Sequence, residues 1–222
     1  MVVLATKVTV GGAARDRAIK SLEALVSNDI GELEVEYSIG VRDDDFPSVT
    51  VSGEDATAAR NVLRANWGEI TDSFEADETY IGTLDAWDPE GFVLDAGTPV
   101  RIPADELGLG PGRPDQLVER FGLVQHLRLQ FDWGDPPTLA SAERDRLFDW
   151  RRGPGRITVN NATRGEVRAT VNRAGHAEDI VTVERLGLLE QSIVCAEGTD
   201  PPGLLSAIGD YLPAAMRCVI PD

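Results

Sequence analysis

Residues 80–107 read YIGTLDAWDPEGFVLDAGTPVRIPADEL, three short apolar runs parted by the turn signals Asp88-Pro89-Glu90-Gly91 and Gly97-Thr98-Pro99. The runs at 80–87, 91–95 and 100–102 are each too short and too closely spaced for helices, so they predict three consecutive strands. A Gly/Pro loop follows at 108–114, then a short helical pattern at 115–121 and a fourth strand at 127–132. Only a brief run near 138–140 is left to supply a fifth. Several short strands separated by turn signals favour a small barrel over a parallel sheet, and this central unit is expected to span 77–141.

Outward from that centre, the two flanks share one pattern. Residues 2–10 read as a strand broken by Gly11-Gly12, and Ile19, Leu22, Leu25 and Val26 mark one face of a helix. Leu33, Val35, Tyr37 and Ile39 alternate with polar residues as in a half-buried strand. Asp43-Asp44-Asp45 makes a turn tip before Val49 and Val51. Ser52 with Asp55 is placed to cap a helix carrying Ala59, Val62 and Leu63. The order βαββα predicts a ferredoxin-like unit over 1–76, without a convincing fourth strand in the acidic stretch 70–79. Over 142–222 a helix precedes βαββαβ, again ferredoxin-like. There Thr163 and Glu166 form a capping box and Gly175 ends the helix that they open. The fold class expected is α+β throughout.

That order also bears on the two cysteines. In a 4-1-3-2 antiparallel sheet, Cys195 on the third strand and Cys218 on the fourth flank the first. At about 4.8 Å per strand they stand roughly 9–10 Å apart, too far for a disulfide.

Thirty-eight acids against 21 bases leave a net charge of -17, and only Lys7 and Lys20 among the bases are lysines. Acids dispersed along the whole chain with arginine in place of lysine suit a surface adapted to molar salt, where the Debye length falls to about 3 Å and self-repulsion is screened. An acidic protein that meets basic partners or metals is the alternative. No apolar run nears the roughly 20 residues that span a bilayer. The opening MVVLATKVTVGG lacks the basic and long apolar regions of a signal peptide, so a cytoplasmic location is expected.

No catalytic constellation emerges, and no metal or cofactor is expected. His126 and His176 are the only histidines, neither cysteine has a base placed beside it, and Asp43–Asp45 lacks the alternating ligands of a calcium loop. Gly108-Leu-Gly110-Pro-Gly112 is not set between a strand and a helix, so its glycines read as turn residues. The positive signal is arginine. Residues 143–173 hold eight arginines and four acids, a segment of +4 in a chain of -17. Arg164 and Arg168 stand i and i+4 on one helix face. Such an island suggests a site for phosphate or for acidic protein. Intramolecular bridging of the same arginines is the competing explanation.

Three resemblances follow from particular residues. Gly82–Leu84, Gly91 to Gly97 and the closing IPADEL are similar to the strand pattern of S1 domains, which implies an RNA-binding OB barrel. Val93 stands where that pattern carries its main aromatic, Phe92 falls one residue early, and Pro103 takes the place of the histidine. Asp200-Pro-Pro-Gly-Leu204 resembles the helix entry of amino-acid-sensing ACT domains. The chain as a whole, including ERLGLLEQSIVCAEGTDPPGL at 184–204, is similar to an archaeal family of unknown function, which implies a halophilic archaeal source.

These readings together predict a non-catalytic, RNA-directed accessory protein of transcription or translation, with RNA, ribosome or RNA polymerase components as partners. The contacts expected are Arg151, Arg152, Arg156, Arg164 and Arg168, helped by Arg120 and Arg128, with Phe92 and Tyr80 as stacking rings. A protein-interaction adaptor without nucleic-acid contact, and an amino-acid-responsive regulator using Asp200 to Leu204, are the alternatives.

Overall fold

A computed structural model of the chain describes residues 1–221. The fold is α+β, built on three antiparallel sheets, with the middle one curled into a half barrel.

The N-terminal sheet comprises β1 (Val2–Val3), β2 (Val35–Val41) and β3 (Pro47–Gly53) in the order β1-β3-β2. Helices α1 (Gly12–Ile30) and α2 (Ala56–Trp67) pack against each other, α2 also resting on β1 and β3. The buried stripe of α1 is Ala18, Leu22, Val26 and Ile30, a four-residue spacing that leaves Ile19 on the stripe's edge. Two local expectations are corrected. Strand pairing stops at Val3 because the following residues are drawn to other elements: the Val8 N–H donates to the Asp45 carbonyl, and Lys7 reaches Asp95. Asp55 does not cap α2 with its side chain but accepts the Glu34 N–H at 2.9 Å, pinning the approach to β2. The fourth-strand position is reduced to a single bridge between Leu4 and Glu69.

The central sheet runs β6-β5-β4-β7-β8, from β4 (Thr79–Asp88), β5 (Gly91–Asp95), β6 (Pro99–Pro103), β7 (Arg128–Asp132) and β8 (Thr138–Leu139). Its edge strands β6 and β8 curl back towards each other. Alternation sends Phe92 and Leu94 of β5, Ile102 of β6 and Leu129 and Phe131 of β7 into one core. Helix α3 (Pro114–Arg120) adds Leu117 and Val118 to that core, and α4 (Ser141–Arg152) packs against β7 with Leu147 and Trp150 in the same core. The expected glycine turn is present: Gly108, Gly110 and Gly112 all have positive φ.

The C-terminal sheet has the order β10-β11-β9-β12, from β9 (Arg156–Val159), β10 (Ile180–Arg185), β11 (Gln191–Cys195) and β12 (Met216–Val219). Helices α5 (Arg164–Arg173) and α6 (Pro201–Ile208) cover one face. The capping box forms as read: Thr163 Oγ1 accepts the Glu166 N–H, and Glu166 accepts the Thr163 N–H at 2.9 Å. Cys195 and Cys218 lie on the two strands flanking β9 and are both free thiols.

The three units interlock through the connection between β10 and β11. Leu186 is buried in the central core, whereas Leu188 and Leu189 are buried in the N-terminal core. At about 1.5–3 kcal/mol for each fully buried leucine, this short segment contributes stabilisation to two cores outside its own sheet. Among the described residues no helix is long and apolar enough to cross a membrane.

Candidate functional site

Where the three units meet, the surface folds into a groove lined by arginine. Strand β7 faces two ways: Leu129 and Phe131 point into the barrel, so Arg128 and Gln130 point out. The outward Arg128 is met by the end of α2 and the end of β10. Its Nε donates to the Leu186 carbonyl at 2.5 Å and an Nη to the Trp67 carbonyl at 2.9 Å, so one side chain joins all three units. Two adjoining cavities of about 250 and about 310 Å³ share Arg128, Arg185 and Asn66. A third of about 540 Å³ shares Arg146, Arg185 and Leu186 with the first, and extends the groove past Trp150 to Arg164 on α5.

The guanidinium groups here fall into two sets. Arg64 pairs with Glu69 at 2.5 Å, Arg146 with Glu143, and Arg156 with Glu184. For Arg128, Arg164 and Arg185, no carboxylate of the described residues lies within ion-pair distance. Arg164 Nε donates to the Val183 carbonyl at 2.6 Å. Arg185 lies over the Trp67 ring at 5.4 Å, and Arg146 and Arg156 lie over Trp150 at 5.0 and 5.3 Å. These indoles are themselves buried, so they fix guanidinium planes and offer no ring to a ligand. Burial lowers the Arg128 guanidinium to about 10. It raises the Glu190 carboxyl to about 8, against the opposing pull of Arg128. Burial of Glu190 thus weakens the compensation that its carboxyl offers to Arg128, on which Glu143 also acts.

Three family models match end to end, the DUF2110 N-terminal domain over 1–73, the DUF2110 central domain over 74–151 and the DUF2110 C-terminal domain over 154–220. The chain belongs to the DUF2110 family. No curated protein matches it.

In this DUF2110 protein the residues singled out from sequence are divided between several places. Arg128 and Arg164 line the groove, and Arg156 buttresses it through Trp150 and Glu184. Arg168 is exposed on α5, whereas Arg152 bonds Asp149 at 2.9 Å on the outer turn of α4. Arg151 lies over the Phe121 ring at 5.9 Å and Arg120 lies against the glycine loop, both away from the groove. The two rings require correction. Phe92 is 0 % exposed in the barrel core and cannot stack on a base while the barrel is folded. Tyr80 packs edge-on to Phe74 at 4.9 Å and accepts the Glu75 N–H with its hydroxyl at 2.8 Å, which leaves it in a satisfied structural role.

The outer barrel face is occupied as well. Arg101 holds Asp88 through two bonds of 2.8 and 2.9 Å, with Glu90 at 3.6 Å. The bonded Arg101 keeps the Asp88 carboxyl below its usual range. Trp87 is covered by Arg217 at 5.6 Å. Arg64, Arg146 and Arg185 are the groove arginines absent from the sequence-derived set. Arg146 was visible as one of the eight clustered arginines. Arg64 and Arg185 carry no local signal, because only the tertiary path of 186–190 brings α2 and β10 together.

Proposed function

We propose that this DUF2110 protein is a non-catalytic, RNA-directed accessory protein of transcription or translation in a halophilic archaeon, built from two ferredoxin-like units around an S1-like OB barrel. The strand orders β10-β11-β9-β12 and β6-β5-β4-β7-β8 support that reading of the units. One observation carries the function: in a chain of net charge -17, Arg128, Arg164 and Arg185 converge on one groove without carboxylate partners. At molar salt the counterion-release contribution to phosphate binding nearly vanishes. Binding then depends on guanidinium groups already held in plane for two-pronged contact with phosphate oxygens, as Arg185 over Trp67 is. Such contacts grip a backbone without reading its bases, so structured ribosomal or transfer RNA is the expected class.

Filter binding of both RNAs in ~2 M KCl tests this. The native protein retains RNA, Arg185→Ala weakens retention by about tenfold, and Arg152→Ala outside the groove does not. Absence of retention, or equal retention by all three proteins, overturns the proposal. Loss of near-UV circular dichroism when the same preparation is dialysed to millimolar salt checks its halophilic part.

The adaptor reading is favoured by one separate feature. Strand β10 is an open sheet edge on which Val181 is 69 % exposed, a surface suited to strand pairing with a protein partner. Partners that survive nuclease treatment of a high-salt isolate would support it in place of RNA binding. The amino-acid-sensing alternative has less room, because Asp200 itself accepts the Gly203 N–H at 3.1 Å at the entry of α6.

A further inference from the structure

A second cleft, of about 480 Å³, opens at the seam between the N-terminal and C-terminal units, away from the arginine groove. The start of α1, the face of α5 and the segment 211–213 enclose it. Its floor is apolar, formed by residues such as Val10, Ala162 and Leu212, and its walls carry Arg17 and Arg173. The seam is fixed in place: Thr9 Oγ1 donates to Asn161 Oδ1 at 2.8 Å, and Arg17 Nε donates to Glu166 at 2.8 Å.

The charge of the cleft is the reverse of the chain's. Among the described residues Glu166 is the only acid that lines it, and that carboxylate is already engaged by Arg17 and by the Thr163 N–H and hydroxyl. No carboxylate of the described residues lies within ion-pair distance of Arg173, which is exposed on the last turn of α5. Helix α1 starts at Gly11-Gly12 without a side-chain cap, and Gly11 lines the cleft, so the positive end of the helix lies beside it. Tyr211, 58 % exposed, lines the same cleft as Arg17 and Arg173. A volume within the range of small-molecule sites, an apolar floor, an exposed aromatic ring, and Arg173 without a carboxylate partner together with an Arg17 held by Glu166 and the Ala13 carbonyl suit a ligand with an anion at one end and a planar body at the other.

We infer that this cleft binds a free nucleoside monophosphate, with the phosphate between Arg17 and Arg173 and the base against Tyr211. The inference does not rest on RNA binding at the groove.

Calorimetric titration of the full chain in ~2 M KCl with AMP, GMP, adenosine and inorganic phosphate, each alone, tests it. AMP or GMP is expected to bind with Kd below about 1 mM, and adenosine and phosphate at least tenfold more weakly. Arg173→Ala and Tyr211→Ala, both exposed and therefore compatible with folding, each weaken nucleotide binding at least tenfold, whereas Arg185→Ala in the groove leaves it unchanged. Saturable heat from neither nucleotide, or nucleotide binding unaltered in both cleft variants, overturns the inference.

Discussion

Arg128→Ala lowers the stability of the folded chain by about 2–3 kcal/mol, the loss expected when two charge-assisted bonds are removed and some desolvation cost is returned. The Leu186 and Trp67 carbonyls that accept from Arg128 belong to different units, and both residues are buried. Truncation therefore leaves two acceptors unpaired at the point where three cores meet. The depressed guanidinium of Arg128 shows that its burial is costly, so the net loss is smaller than the sum of two charged bonds. Urea unfolding by far-UV circular dichroism measures this as a lower midpoint with an unchanged slope. Arg128→Lys does not restore the midpoint, because one ammonium on a flexible stem cannot span two carbonyls in the geometry of a guanidinium fork. Full stability in the lysine variant would show that charge alone, and not the fork, joins the units.

The second large effect is on pH dependence. Glu190 is fully buried beside Gly187, and among the described residues its carboxyl has no side-chain hydrogen-bond partner. A Cβ on Gly187 would come within 2.2 Å of that carboxyl, so glycine is what leaves room for it. Burial raises the Glu190 carboxyl from 4.5 to about 8. Between these values the folded chain holds a proton that the unfolded chain has released. Stability from this group is therefore complete below about pH 4.5 and is lost as pH rises through about 8. Across pH 5 to 8 the loss is on the order of 3 kcal/mol. Glu190→Gln removes this component whatever fixed cost the amide brings. The difference in unfolding free energy between native protein and variant should thus change across pH 5 to 8 by about that amount. A constant difference across the same range would place a charged, compensated carboxylate at Glu190.

The parts of the fold that were legible in sequence are those set by local chemistry. Gly91 and Gly97, with φ of 145° and 86°, bound β5 at positions where a side chain would be strained, and the turn signals around them placed the strand. The capping box at Thr163 and Glu166 is likewise an interaction between near neighbours. What was hidden depends on contacts between distant residues. Residues 4–10 have the pattern of a strand, yet Lys7 leaves the ladder to meet Asp95, 88 positions away. The site divides in the same way. Arg164 belongs to the basic island and Arg128 to the helping contacts expected beside it, but Arg185 becomes a groove residue only because Leu188 and Leu189 anchor the adjoining loop in the N-terminal core. Phe92 shows the opposite failure, since an aromatic next to a strand glycine suits a barrel core as well as a stacking platform.

Hydrogen–deuterium exchange of the full chain with and without transfer RNA in ~2 M KCl separates the groove from the barrel face most directly. Binding at the groove predicts slowed exchange at residues 182–186 and 64–67, with residues 99–103 on the outer barrel unchanged. Slowed exchange at 99–103 with none at 182–186 would contradict the arginine groove as the site of contact.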